Sequence, residues 1–444
     1  MKKSTTKMSL VASIAALVLC CAMLIGTTFA WFTDSASTAV NKIQAGTLDV
    51  QLLDESGNSL EGQTLAWQKA AGHESEEVLW EPGCTYKLQP IVIKNNGNLA
   101  LKYKIVITGI QGDAELNEAI EWTITNTSAT TALDADHPLA AGASDTLTIS
   151  GHMKESAGNE YQGLSIEGIA ITVVATQDTV EHDSNDNQYD AGAEYPIPVA
   201  TADDLAAALA SGHDVILTAP ITMPNALEIT GSVTIYGTAE GKLLTPANGD
   251  NRVINVNDNT EPVTLTLSNV DVVGPTSGTY TRGISVYSNS NVTIIADNSS
   301  ISASYYALNI ASENDNVNVV IKNTTLTGWC AFQTWSAGTR ATFENCTLIG
   351  LNDKTYNADG WNNFATVVIN KDTTNVELTF KDCRIEANQT TGNTQYLFSI
   401  RAAGAKITLD NCTYFANGTE IANADLRGYI SLYPVASDAL IIIE

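Results

Sequence analysis

Six times between residues 263 and 416 the chain repeats one phrase: a run with apolar residues at every second place, an Asn or Asp, then a shorter run. The copies are "VTLTLSNVDVVG", "VTIIADNSSISA", "VNVVIKNTTLTG", "ATFENCTLIG", "VELTFKDCRIEA" and "KITLDNCTYFA". They align on Asn269, Asn298, Asn323, Asn345, Asp382 and Asn411, at spacings of 29, 25, 22, 37 and 29 residues. Repetition at this period marks a stack of similar units with loops of variable length.

The alternation changes phase at the aligned residue. Before it, the apolar side chains stand two, four and six places back, as with Val317, Val319 and Ile321; after it they stand one and three places on, as with Cys346 and Leu348. A one-residue slip turns side chains to the opposite face, and Asn and Asp tolerate the left-handed backbone that a corner requires. The six residues therefore predict a ladder of corners, each joining two strands.

A third apolar strand completes each copy: "GISVYS", "ALNIAS", "AFQTWS", "FATVVI" and "LFSIRA". Three strands per turn, stacked at about 4.8 Å per coil, describe a right-handed parallel β-helix over 201–444. "TADDLAAALASGHDVILTAPITM" opens it with a helix capped by Thr201, with Asp203 and Asp204 in the first turn and Leu205, Ala208 and Leu209 on one face, so a capping helix is expected.

Residues 31–182 carry shorter alternating runs, such as "TLDVQLLD", "ALKYKIVITGI" and "DTLTISGHM", between Gly, Asn and Asp turns. That spacing predicts an antiparallel β-sandwich. Between the halves, 183–200 loses periodicity and gathers Asp, Asn and Pro, as an acidic linker does. The fold class expected is all-β throughout.

The residue after each corner is Val270, Ser299, Thr324, Cys346, Cys383 and Cys412, a column of small interior side chains. Cysteine there reads as a buried free thiol, because parallel neighbours suit a disulfide poorly. No CxxC or His/Cys cluster suggests zinc. The N-x-S/T triplets at several corners follow from the corner chemistry itself and are not read as glycosylation.

Residues 1–30 combine Lys2, Lys3 and Lys7 with an apolar run ending in "GTTFA", the form of a secretory signal cleaved after Ala30. No later membrane span is expected in a mature protein placed outside the cell. With 49 acidic against 22 basic residues, a formal net charge of -27, the surface repels phosphate backbones, so nucleic acid is excluded as a partner.

Three sets of residues are candidates for function. Tyr280, Tyr305, Trp329, Trp361 and Tyr396 each precede the third strand of a coil, so stacking would align them as an edge for sugar rings. Asp353, Asp359 and Asp372, in the longest insertion, with Arg340 and Arg401, are the candidates for a catalytic assembly. Asp183, Asn185, Asn187 and Glu194 occupy places 1, 3, 5 and 12 of a calcium-loop pattern, but Gln188 stands where that loop needs Gly. Ca2+ is the only cofactor for which the residues argue.

The signal end with its sequel, "LIGTTFAWFTDSASTAVNKIQAGTLDVQL", resembles the start of the TasA/camelysin-like family of Gram-positive bacteria. "WEPGCTYKLQPIVIKNNGNLALKYKI" at 80–105 and "AGNEYQGLSIEGIAITVVATQ" at 157–177 extend that resemblance over about 1–190. It implies an exported jelly-roll sandwich that, in fibre-forming members, polymerises into biofilm matrix. A segment from Trp31 to about Gln44 would then pair with the open sheet edge of another copy or a related subunit. Some relatives are called metalloproteases, but no HExxH occurs, and His73, His137, His152, His182 and His213 are scattered. The second half resembles the pectate-lyase-like β-helix superfamily, an architectural likeness that leaves chemistry open. Two functions follow as expectations: a secreted surface or biofilm-matrix protein that adheres to an extracellular glycan or cell surface, or an extracellular polysaccharide lyase or glycoside hydrolase. A secreted module that does neither is the third.

Overall fold

Strands that cannot bury an apolar face alone must stack, and in the computed structural model they do so in two ways. Residues 48–443 are described, except 61–62, 64, 77, 109–110, 114, 127–128, 168–169, 179–192, 239–240, 242, 247–251, 258–260, 279, 288–290, 312–316, 352–364, 371–372 and 389–395. Residues 1–30, read above as an export signal, and the segment Trp31 to Gln44 therefore lie outside the described residues. No described helix is long and apolar enough to cross a membrane.

In the first half all pairings are antiparallel. Ser144–Met153 is central: it pairs with Ile91–Asn95 along one stretch and with Thr85–Leu88 and Ile120–Thr125 along another. A separate sheet joins Leu101–Thr108 to Ala170–Gln177 and His137–Leu139. Ile91, Ile93, Ile124, Leu147 and Ile149 from the first sheet and Leu101, Tyr103 and Ile105 from the second belong to one buried cluster. Buried polar groups in it are satisfied, as burial demands. The Tyr103 hydroxyl donates to Asp145 Oδ2 at 2.8 Å, and Asn95 Nδ2 donates to the carbonyls of Leu99 and Leu139 at 2.7 and 3.2 Å.

In the second half three parallel sheets run side by side, the arrangement of a β-helix. Among the described residues sheet 1 has ten strands, from Ile197–Val199 to Leu440–Ile443; sheet 2 has nine, from Ile221–Met223 to Thr419–Ile421; sheet 3 has eight, from Leu227–Ile229 to Ile430–Leu432. Strands one coil apart pair in register, for example Val319 with Ala341 and Leu348 with Ile385. The last strand of sheet 2 turns back antiparallel on Thr413–Ala416, so that edge is not left open to further parallel addition. The helix Ala202–Ala210 packs Leu205, Ala208 and Leu209 onto the first coil, and Thr201 Oγ1 accepts the Asp204 N–H at 3.2 Å.

The first parallel strand, Ile197–Val199, falls inside the segment read as a linker, and Tyr195 beside it donates to Asp136 Oδ1 at 3.2 Å with Lys104 Nζ 4.7 Å from its ring. Gly46–Glu444 accordingly forms one compact unit.

All six corner residues take the left-handed backbone, with φ of 57° at Asn269, 48° at Asn298, 47° at Asn323, 53° at Asn345, 53° at Asp382 and 49° at Asn411. Their amides link coil to coil: Asn345 Nδ2 donates to Asn323 Oδ1 at 2.7 Å and Asn411 Nδ2 to Asp382 Oδ1 at 2.6 Å. The interior column behind them is small and mostly buried, with Cys346 and Cys383 nearly sealed and Cys412 half-buried. All three cysteines are free. Hydrogen bonding between them holds the Cys346 thiol below its ordinary range and pushes Cys383 up to about 12. Aromatic residues fill the wider interior beyond, where Phe343 stacks on Phe380 at 4.9 Å and 5°.

Candidate functional site

Sheet 3 differs from the other two in having both faces covered. Tyr306–Ile310, Cys330–Thr334 and Ala365–Ile369 are buried at every position, whereas strands of sheets 1 and 2 alternate. The register supplies the reason. Pairing skips the second residue of these strands: Arg252 pairs with Arg282 and Ile254 with Ile284, while Val253 and Gly283 do not pair. Val253 and Ile254 both lie in the core, as do Ala307 with Leu308, Ala331 with Phe332, and Leu397 with Phe398. Two successive inward side chains bend each strand, as a bulge does. The residues on either side of the bend consequently share the outer face.

Ahead of the bend stand Arg252, Arg282, Tyr306 and Cys330, in register from coil to coil. After it alternation turns Asn255, Ser285, Asn309, Gln333 and Ser399 outward. Asn255 Nδ2 donates to both oxygens of Glu228, one coil earlier. Asn309, Gln333 and Ser399 are only 1%, 2% and 0% exposed, yet Asn309 Oδ1, Gln333 Oε1 and Ser399 Oγ have no hydrogen-bond partner. A buried polar atom left unsatisfied costs about 1–3 kcal/mol, so the covered face bears that cost at these three coils.

An aromatic wall borders the arginine row. Tyr305 and Trp329 stack at 4.9 Å and 2°, Tyr305 lies 4.1 Å from Tyr306, and Tyr280 adds its ring 5.6 Å from Tyr305. Tyr280, Tyr305 and Trp329 stand side by side, but the faces of Tyr305 and Trp329 are spent on one another: Tyr305 is 3% and Trp329 6% exposed, against 50% for Tyr280. Tyr396 packs half-buried against the same cluster, and Trp361 lies outside the described residues. The exposed ring of this edge is thus that of Tyr280, and the edge is not a continuous platform. Tyr280 holds a left-handed backbone, φ 66°, which is uncommon for a bulky residue. Arg282 sits against Tyr306, its Cζ 5.7 Å from the ring, and donates to the Tyr280 carbonyl. Burial, and next the like charge of Arg252, holds the Arg282 guanidinium below its usual range, while burial raises Tyr305 and Tyr306.

The other candidates are dispersed. Arg340 begins a sheet 1 strand, exposed, and faces Glu377 at 3.7 Å. Arg401 follows a sheet 3 strand and lies 4.4 Å from the Tyr433 ring. The two are not brought together, and Asp353, Asp359 and Asp372 lie outside the described residues. Of the calcium-loop positions, Asp183, Asn185 and Asn187 lie outside them too, while Glu194 pairs with His213 at 3.0 Å. Among the described residues no group of three His, Cys, Asp or Glu could hold a metal ion.

Sequence reasoning passed over the outward polar column, although a signal for it exists. Ser, Asn and Ser stand between apolar residues in "GISVYS", "ALNIAS" and "LFSIRA", and Gln follows Phe in "AFQTWS". Arg252 gave no such signal, since its partner Arg282 is thirty places away across a loop of irregular length.

A family model described as camelysin metallo-endopeptidase matches residues 5–57. No curated protein matches the chain. Among solved structures, the catalytic domain of a GH87 alpha-1,3-glucanase in complex with nigerose is similar at 10% identity, covering 89% of this chain and 96% of that one, with a TM-score of 0.16. Two Asp→Ala variants of that domain, also with nigerose, match at 10% and 11% identity over the same shares, with TM-scores of 0.15 and 0.16.

Proposed function

We propose that this is a secreted bacterial surface or biofilm-matrix protein whose β-helix carries a glycan-binding face and whose antiparallel half serves assembly or docking. The observation that carries the reading is the outer face of sheet 3. It sets two arginines in register beside an accessible tyrosine ring. Hydroxyl-rich ligands are held by such a set, through guanidinium N–H groups for oxygens and an aromatic face for the apolar side of a sugar ring. In this reading the solenoid winds right-handed, the hand that nearly all parallel crossovers take. The first half is a jelly-roll-like sandwich, residues 1–30 direct export, and the segment after Ala30 joins the sandwich to another copy or a related subunit. The camelysin match over residues 5–57 supports the export and assembly part.

The test is incubation of residues 31–444 with a panel of plant, host and bacterial glycans, recording retention and newly formed reducing or unsaturated ends together. Retention without product is the expected result. Product formation would replace adhesion by a lyase or hydrolase on the same solenoid, and a panel with neither would refute both.

A further inference from the structure

The sheet 3 face contains a cation that has no carboxylate partner among the described residues. Its guanidinium, that of Arg282, donates to the Tyr280 carbonyl, and its Nε is buried without an acceptor. Arg252 stands in register one coil away, adding a second guanidinium on the same side. A protein with 49 acidic residues has set Arg282 among Tyr280, Tyr305 and Tyr306, with a second arginine one coil away. Buried charge is normally paired, and a guanidinium offers a planar fork suited to a carboxylate or sulfate.

We propose that the Arg252–Arg282 pair, with the Tyr280 ring beside it, is a recognition site for an anionic substituent of a sugar, so that the glycan bound by this face is acidic. Arg282 meets the anion through its unused N–H groups, and Arg252 adds charge from the adjacent coil. Tyr280 lies at the accessible end of the aromatic wall, where a pyranose ring carrying that anion can stack. This inference rests on the glycan-binding reading and specifies the ligand's charge. Non-specific attraction would not mimic it, because the net charge of -27 repels polyanions.

Affinity electrophoresis and retention would be measured for residues 31–444 and for Arg282→Gln and Tyr280→Ala, each checked for unchanged circular dichroism and melting. The probes are polygalacturonate and alginate as carboxylated chains, dextran sulfate as a sulfated one, and laminarin and xylan as neutral ones. The expected result is retention of an anionic chain at least about tenfold tighter than a neutral one, weakening with salt and falling about tenfold or more in Arg282→Gln. The carboxylated and sulfated arms identify which anion is preferred. Equal retention of neutral chains, or an unchanged Arg282→Gln, would overturn the inference while leaving glycan binding standing. No retention of any probe would overturn both. Should Arg282→Gln not fold, Arg252→Gln, at a half-buried position in register with it, gives the same discrimination through its effect on the ratio of anionic to neutral retention.

Discussion

Replacing Asn345 by Ala and, separately, by Gly isolates what the corner ladder contributes. Asn345 holds φ 53°, and its amide donates to Asn323 at 2.7 Å on an exposed edge. Its backbone N–H, bonded to the Lys381 carbonyl at 2.9 Å, is present in either variant. Both substitutions delete the side-chain bond, worth about 0.5–1.5 kcal/mol and nearer the lower end at an exposed site. Alanine additionally places a Cβ in the left-handed region, at a cost of about 1–2 kcal/mol, while glycine adopts that region freely. The expected losses are therefore about 1.5–3 kcal/mol for Asn345→Ala and about 0.5–1 kcal/mol for Asn345→Gly. Urea unfolding of residues 31–444, followed by circular dichroism and tryptophan fluorescence, measures both. Equal losses, or a larger loss for glycine, would refute the claim that backbone handedness is what Asn supplies here.

Three other outcomes follow from packing and charge. Phe343→Ala removes a fully buried ring stacked on Phe380 and should cost about 3–5 kcal/mol in the same unfolding assay, against roughly 1 kcal/mol for Phe343→Leu. Gly328→Ala should cost about 1–3 kcal/mol or prevent folding, because its Cβ would come within 2.7 Å of the Cys330 carbonyl and 2.9 Å of backbone atoms of Ala307 and Tyr305. Glu344 is held below the usual carboxylate range first by its hydrogen bond from Lys322, at 3.0 Å. A depressed folded pKa contributes stability that is complete above the unfolded value and lost as pH falls through the folded one. Because the pair is about 37% exposed, the gap between the parent and Glu344→Gln should be only a few tenths of a kcal/mol at neutral pH. That gap should close as urea midpoints are followed below pH about 4.5.

The corners, the helix cap and the three-strand period were legible in the amino-acid order because each is a local matter. A left-handed residue, a Thr ahead of two aspartates and an alternation that slips by one place act within a few residues of themselves, so Asn323 announces its turn wherever the coil lies. The antiparallel and parallel halves follow from the same local patterns. The sheet 3 face is different in kind. Whether Trp329 offers its ring to solvent depends on Tyr305 one coil away, and whether Arg282 finds Arg252 or a carboxylate depends on the register across loops of unequal length. The bend that puts Val253 and Ile254 both inward reverses the facing that strict alternation implies for the residues ahead of it. Side chains were named by the sequence, but their exposure and company were decided by stacking, because burial and electrostatics belong to pairs of coils and not to any one of them.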